Sequence, residues 1–556
     1  MLKSFPAFSS ATLLMLAWLI PNHYPPWSAY YSELFAFIAL FALAAVVLLY
    51  RYPLTFPRAA SFVFLLALVP LLQFASDLIY FLGDALSAGF YLATFGFAIV
   101  IGANLAKNSG PRFAETLAWV CLIGALISVV LALHQWLELQ QLGIWLMDMR
   151  HGGRPYANLA QPNNLATLLC IGLTSALYLR ERGYFGRIVL TLLAFLLLVG
   201  VAMTRSRTAF LIMLAIAVWI LWGRKKFGLN CSPIEVAAAL GMFVLLWTGW
   251  ATISEYLYLT ADSTTARLGT FDGEIRLVLW QQMIDALARQ PWFGYGWNQV
   301  SVAQISVVTD HPNTVWTEYA HNLVLDVLIW NGVLLGSAIL AAMGWWLITR
   351  MRRVNSLESW FALLIILVVC THSLFEYPHA YAYFLLLVGL CIGIVDLSPA
   401  SPAPRLPHWT FAMATVIGSA LLLWTIVEYQ RIEVDYRLMR FENAGIEREK
   451  PKTLAPNIVI LTQMRELIRF VRTQAKEEMT AAELDWMRRV AHRYAHPSAL
   501  FRYALALGLN NRPQEAGLEL ERLKRLYTTH FSEIRPAWDT LTKEHPQLEQ
   551  VVFPLQ

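Results

Sequence analysis

The chain has 556 residues, of which 58% are hydrophobic and only 14% charged, with 21 Trp and 22 Tyr. This is the composition of a multi-spanning helical membrane protein and is wrong for a soluble domain of the same length. The net charge of +5 is small and its basic residues cluster in short loops between apolar runs, so they report orientation, and no nucleic-acid partner is expected.

A hydrocarbon core of roughly 30 Å needs about 20 apolar residues per helix. Runs of that kind recur at 7–22, 31–50, 58–80, 86–106, 113–137, 163–179, 187–203, 208–222, 233–253, 323–348, 359–375, 381–397 and 409–428, which predicts about thirteen spans. No small-residue cleavage site separates the first run from the second, so it is expected to stay as a span. Arg51 and Arg58, Lys107 and Arg112, Arg180, Arg182 and Arg187, Arg224, Lys225 and Lys226, and Arg350, Arg352 and Arg353 fall at every second boundary. That alternation, with Lys3, puts the N-terminus and these loops on the cytoplasmic side and the C-terminal tail outside. The Pro-rich stretch from Ser398 to Pro404 is expected to be a short, stiff cytoplasmic connector. The five cysteines, Cys121, Cys170, Cys231, Cys370 and Cys391, lie in or beside apolar runs and are expected to be buried free thiols.

Beyond Tyr429 the sequence becomes charged and helix-forming. The expected organisation is a transmembrane domain over 1–428, with a large outer loop at 254–322, and a soluble helical domain over 429–556. Within the tail, Ala499 to Tyr527 reads as two amphipathic helices joined at Asn510-Asn511-Arg512-Pro513, a pattern of tetratricopeptide kind.

The outer loops carry the unusual residues. One holds Arg154, Gln161 and Asn163; the next is only Thr204-Arg205-Ser206-Arg207; the long one carries Arg267, Arg276, Arg289, His311, Glu318, His321 and Asn322; another is Glu376-Tyr377-Pro378-His379. Lys and Arg favour the inside, so Arg154, Arg205, Arg207 and Arg276 run against the orienting bias. A guanidinium holds a fixed fork of donors that matches phosphate oxygens and does not deprotonate, which suits a lipid-linked pyrophosphate. His321 stands where the long loop re-enters an apolar helix, a place for a titratable ring with a function. Simpler readings stand beside these: Arg205 and Arg207 as a snorkelling pair at a helix end, Pro162 as a helix start with flanking amide caps, Tyr377 as one of the aromatic belt.

The stretch Arg154 to Leu169, RPYANLAQPNNLATLL, resembles the signature of bacterial protein O-oligosaccharyltransferases, or protein glycosylation ligases. The loop ending in His321-Asn322, the Pro291 to Gly296 segment and Thr204 to Arg207 are similar to the wider O-antigen ligase and polymerase superfamily. The resemblance implies an all-α polytopic membrane protein with a GT-C-like helical bundle and a metal-independent transferase without a cofactor. Its expected donor is a glycan on undecaprenyl pyrophosphate in the inner membrane, and its expected acceptor a periplasmic protein or pilin. It also implies that His321 is the essential histidine, with Gln161 and Tyr377 as residues of the site. Asn163, Glu318 and Asn322 are expected to orient substrate, and Arg154, Arg205, Arg207 and Arg276 to bind the pyrophosphate. Three other functions are distinguished by acceptor or chemistry: an O-antigen ligase acting on lipid A core, a polymerase, and a lipid-glycan transporter. The absence of paired broken helices and of an inverted repeat argues against the last.

Overall fold

The computed structural model describes residues 5–50, 53–139, 141–259, 272–396, 404–446 and 455–554. Arg267 and most of the Pro-rich connector lie outside them. In chain order the helices are α1 (Phe5–Leu19), α2 (Tyr30–Tyr50), α3 (Arg58–Leu66), α4 (Val69–Ala75), α5 (Leu82–Ser109), α6 (Pro111–Trp136), α7 (Pro162–Glu181), α8 (Arg187–Met203), α9 (Thr208–Phe227) and α10 (Pro233–Tyr256). They continue with α11 (Asp272–Arg289), α12 (Val300–Val307), α13 (Leu323–Arg353), α14 (Leu357–Ser373), α15 (Ala382–Asp396) and α16 (His408–Asn443). The tail adds α17 (Thr462–Arg472), α18 (Ala481–Arg493), α19 (Pro497–Leu509), α20 (Pro513–Leu526) and α21 (Thr528–Glu544). The protein is an all-α polytopic membrane protein: among the described residues eight helical segments are long and apolar enough to cross a bilayer. A two-residue antiparallel ladder, Leu54–Thr55 against Arg405–Leu406, is the sheet they contain.

Two compact units emerge: 1–66, 91–269 and 344–422 form the first, and 67–90, 270–343 and 423–556 the second. In the first, α7 is the hub, packed against α6, α8, α9 and α14. Nearly every residue from Asn163 to Leu179 is buried, and polar ones among them, Asn163, Asn164 and Thr167, have hydrogen-bond partners, as a helix surrounded by other helices requires. On α8 and α10, by contrast, Ile188, Leu192, Ile234 and Leu245 are exposed, the apolar surface that lipid covers in such a protein.

In the second unit a single apolar core joins Phe81, Ile305 and Val308 to the tail residues Phe470, Met487, Leu500, Leu507 and Leu520. Glu428 ties the start of the tail to α16: its carboxylate accepts the backbone N–H groups of Val459, Ile460 and Leu461 at 2.8–3.0 Å. Arg472 adds a bidentate pair with Asp435 at 2.9 Å and a bond to Glu442. α13 breaks at Gly332, whose φ of 71° and ψ of 176° are not helical. The break frees backbone groups that membrane surroundings cannot solvate. The segment after α11 satisfies them: Tyr295 N–H donates to the Ile329 carbonyl at 2.8 Å and Val333 N–H to the Pro291 carbonyl at 2.7 Å. A Cβ at Gly332 would stand 2.3 Å from the Trp292 carbonyl oxygen, so the close approach requires glycine.

Candidate active site

The residues singled out above fall into both units. Arg154, Gln161, Asn163, Arg205, Arg207 and Tyr377 belong to the first, and Arg276, Glu318, His321 and Asn322 to the second.

In the first unit the loop before α7 is shaped by buried amides. Gln135 on α6 accepts the N–H groups of Tyr156 and Ala157 at 3.0 and 2.7 Å and donates to the Met147 and Ala157 carbonyls. Asn158 donates to the Leu19 and Trp145 carbonyls and accepts Met147 N–H. The loop therefore enters α7 in one conformation. Gln161 caps that helix, its Oε1 accepting Asn164 N–H at 2.8 Å, and Pro162 occupies the first turn, where its missing donor costs nothing. The simple reading of Pro162 and its flanking amides as a helix start therefore describes the local structure.

Arg154 is half-buried. Its Nε donates to the Thr204 carbonyl at 2.7 Å and its Nη2 to Asn163 Oδ1 at 3.1 Å. Asn163 in turn donates to Glu376 Oε1 at 2.8 Å. A continuous relay thus runs from the turn between α8 and α9, through Arg154 and the N-terminus of α7, to the turn after α14. One helical turn deeper Thr167 Oγ1 and His372 Nδ1 are 2.8 Å apart, which joins α7 to the last turn of α14 itself. Arg205 is buried in the α8–α9 turn, whereas Arg207 at the start of α9 is exposed. Tyr377 stacks on Tyr381 with ring centroids 5.9 Å apart, and Tyr381 on Tyr383 at 5.2 Å. Tyr383 OH accepts Asn164 Nδ2 at 3.2 Å.

In the second unit His321 stands two residues before the start of α13. Asn322 caps that helix, its Oδ1 accepting the N–H groups of Val324 and Leu325 at 2.9 and 3.2 Å. The residue before the histidine is fixed on both sides: Ala320 N–H donates to the fully buried Asp326 at 2.7 Å, and its carbonyl accepts the Trp280 indole N–H at 3.0 Å. Arg276 lies one turn before Trp280 on α11, hence on the same face of that helix. Glu318 is half-exposed and accepts Arg493 Nη1 at 3.3 Å. His311, another histidine of this loop, pairs with Asp285 at 2.9 Å.

Left-handed backbone occurs in these segments and at six other described non-glycine residues. Ala157, Ala160, Arg205 and His321 have φ between 51° and 59°, a left-handed conformation that costs a non-glycine residue roughly 1–2 kcal/mol. Such strain persists where surrounding bonds over-determine it, and it gathers at functional sites.

Known proteins match along these segments. Residues 155–179 match the protein glycosylation ligase family, and residues 192–340 match the O-antigen ligase family. Residues 360–540 match the C-terminal part of a virulence factor membrane-bound polymerase family. Over 539 residues, 94% of this chain and 92% of the relative, the chain is 30% identical to the General O-oligosaccharyltransferase of Acinetobacter baylyi.

The chain belongs to the O-oligosaccharyltransferase family.

A second relative from the same organism, the ComP-specific O-oligosaccharyltransferase, is 28% identical over 71% of this chain and 72% of its own length. As an O-oligosaccharyltransferase the protein is a glycosyltransferase, and its chemistry joins a glycan donor to a protein acceptor. Several groups that support the candidate residues escape a reading of residue types alone. Glu376 meets Asn163 across 213 positions, and nothing local announces it. Asp326 had a signal, an acid in the first turn after an Asn cap, but its work is to hold the loop that precedes it.

Proposed function

We propose that the protein transfers a preassembled oligosaccharide from undecaprenyl pyrophosphate to Ser or Thr hydroxyls of periplasmic proteins or pilin at the outer face of the bacterial inner membrane. The observation that carries this reading is the protein glycosylation ligase match over residues 155–179, which coincides with the strained, amide-built loop and the Arg154–Asn163–Glu376 relay. A protein acceptor, in preference to lipid A core or a second lipid-linked glycan, is favoured because both relatives are named as O-oligosaccharyltransferases.

In the proposed reaction His321 accepts the proton of the acceptor hydroxyl as its oxygen attacks the anomeric carbon. The bond from that carbon to the pyrophosphate oxygen breaks, and negative charge grows on the leaving group. Arg154, Arg205, Arg207 and Arg276 are assigned to that charge, where preorganised donors stabilise the transition state more than the bound substrate. Gln161, Asn163, Glu318, Asn322 and Tyr377 are assigned to orientation: Asn163 and Asn322 by holding the backbone and Arg154, Tyr377 by offering a ring face.

Purified protein supplied with lipid-linked glycan and an acceptor protein is expected to release free undecaprenyl pyrophosphate and to raise the acceptor mass by one glycan. A transporter leaves both unchanged, and transfer to lipid A core with an unmodified protein favours a ligase. The proposed orientation has its own check. Reporters fused after Arg353 and after Ala475 are expected to read cytoplasmic and periplasmic respectively, and a cytoplasmic Ala475 overturns the proposed topology.

A further inference from the structure

The tail helix α18 carries three arginines that face the 77–84 segment of the same unit. Arg489 forms a bidentate pair with Asp77 at 2.7 and 3.0 Å, and Arg488 donates to Tyr80 OH at 3.3 Å. Arg493 closes the row at its buried end, its Nε and Nη2 donating to the two oxygens of Asp84 at 3.0 and 3.1 Å. The remaining nitrogen, Nη1, reaches Glu318 at 3.3 Å, three residues before His321. Asp84 is buried and also accepts the amide of fully buried Gln299 at 3.4 Å.

The same end of α18 engages the loop at other points. The Ser301 hydroxyl donates to the His492 carbonyl at 2.8 Å and accepts the Trp316 indole N–H at 2.7 Å. The Trp316 ring packs edge-on against His496, centroids 4.7 Å apart. Two residues before Trp316, Thr314 N–H donates to the Arg525 carbonyl at 3.0 Å. Residues 314–318 are therefore gripped by the tail, as Ala320 is gripped by Asp326 and Trp280. A fork of five donors in one plane is what lets Arg493 hold a carboxylate with one edge and a loop residue with the other.

We propose that Arg493 is a positioning residue for transfer: through Glu318 and the Trp316 contact beside it, the tail sets the path of the loop into His321. This rests on the assignment of His321 as the base. A displacement of about 1 Å at a reacting group lowers rate by up to roughly a hundredfold, so the grip is expected to show in turnover and not in donor affinity.

The test separates positioning from plain stability. Arg493→Met alone leaves Asp84 buried without its cation, so it is expected to lower the melting temperature. The double variant Asp84→Asn with Arg493→Met removes both charges, and is expected to recover the melting temperature of the full-length protein in detergent. Its kcat for transfer from lipid-linked glycan is expected to stay about ten- to a hundredfold below parental, with KM for the donor within about twofold of parental, the split that marks loss of a transition-state interaction. Arg493→Lys keeps charge without the fork and is expected not to restore kcat. A stable double variant with parental kcat overturns the proposal, and so does one whose loss lies wholly in KM. Trp316→Phe keeps an aromatic ring but removes the N–H to Ser301 and part of the ring that packs on His496, so it loosens the same grip without touching a charge and reports even where the charge variants do not fold. A several-fold drop in kcat is expected, and parental kcat overturns the proposal. If His321→Ala itself remains active, the assignment of the base has failed; if it is inactive while the double variant is parental, only the role of Arg493 has.

Discussion

Replacing His321 with alanine is expected to reduce glycan transfer by roughly a hundred- to ten-thousand-fold, the range in which a positioned general base contributes, while lipid-linked donor still binds. Binding survives because the proposed pyrophosphate ligands are arginines elsewhere. His321→Gln is the sharper comparison. It retains a hydrogen-bonding side chain without a β-branch at a position with left-handed backbone, where β-branched residues are outliers, but it supplies no base. A folded, donor-binding His321→Gln protein that glycosylates at the parental rate removes His321 from the mechanism. Attention then moves to the other two candidates of the same loop, His311, which pairs with Asp285, and Glu318, which pairs with Arg493.

The arginines give the second large effect. Arg154 commits Nε and Nη2 to the Thr204 carbonyl and Asn163, and only a planar fork holds both at once. Lysine has a single nitrogen and loses that geometry although it keeps the charge. Arg154→Lys and Arg276→Lys are each expected to be clearly impaired, and the alanine variants lower again, on the order of a hundred- to a thousandfold below parental in kcat. Measured by transfer to an acceptor protein with folding checked by thermal melting, parental rates in Arg276→Lys and Arg276→Ala remove Arg276 from the pyrophosphate site. Glu376→Gln tests the relay in the same assay: it keeps an acceptor for Asn163 but withdraws the charge behind it, and a smaller loss than for Arg154→Ala is expected.

Helix positions were legible because a bilayer imposes a length and a hydropathy that few sequences satisfy by accident. The run at 187–203 coincides with α8 at both ends, and each of the other apolar runs is helical over most of its length. Departures have local causes. The run at 58–80 is split into α3 and α4, with Pro70 in the first turn of the second, where it removes a donor from a continuous helix. The last run continues to Asn443, because the change from apolar to charged residues after Tyr429 brings no glycine or proline before Gly445 and so nothing to stop the helix. In the tail, the two helices expected around Asn510–Pro513 are α19 and α20. The candidate site could be read only as a set of residue types in loops that the charge alternation predicts to lie outside. Its supports could not be read, since they depend on pairings such as Asn163 with Glu376 or Arg493 with Asp84, separated by 213 and 409 positions, which no local periodicity encodes.

The interruption of α13 at Gly332 bears on how this enzyme can be re-engineered. Residues 291–295 are the missing hydrogen-bond partners of a broken helix, so the long loop is not an appendage that can be exchanged for a homologous one at its visible ends. A chimera joined at His321 would bring a foreign loop to a native break, leaving the Ile329 carbonyl and Val333 N–H to be matched by a backbone shaped for another helix. The smallest exchangeable cassette runs from the end of α11 through Val333, and recombination points placed outside it, in α11 and beyond Gly336, are the ones that keep every backbone group partnered.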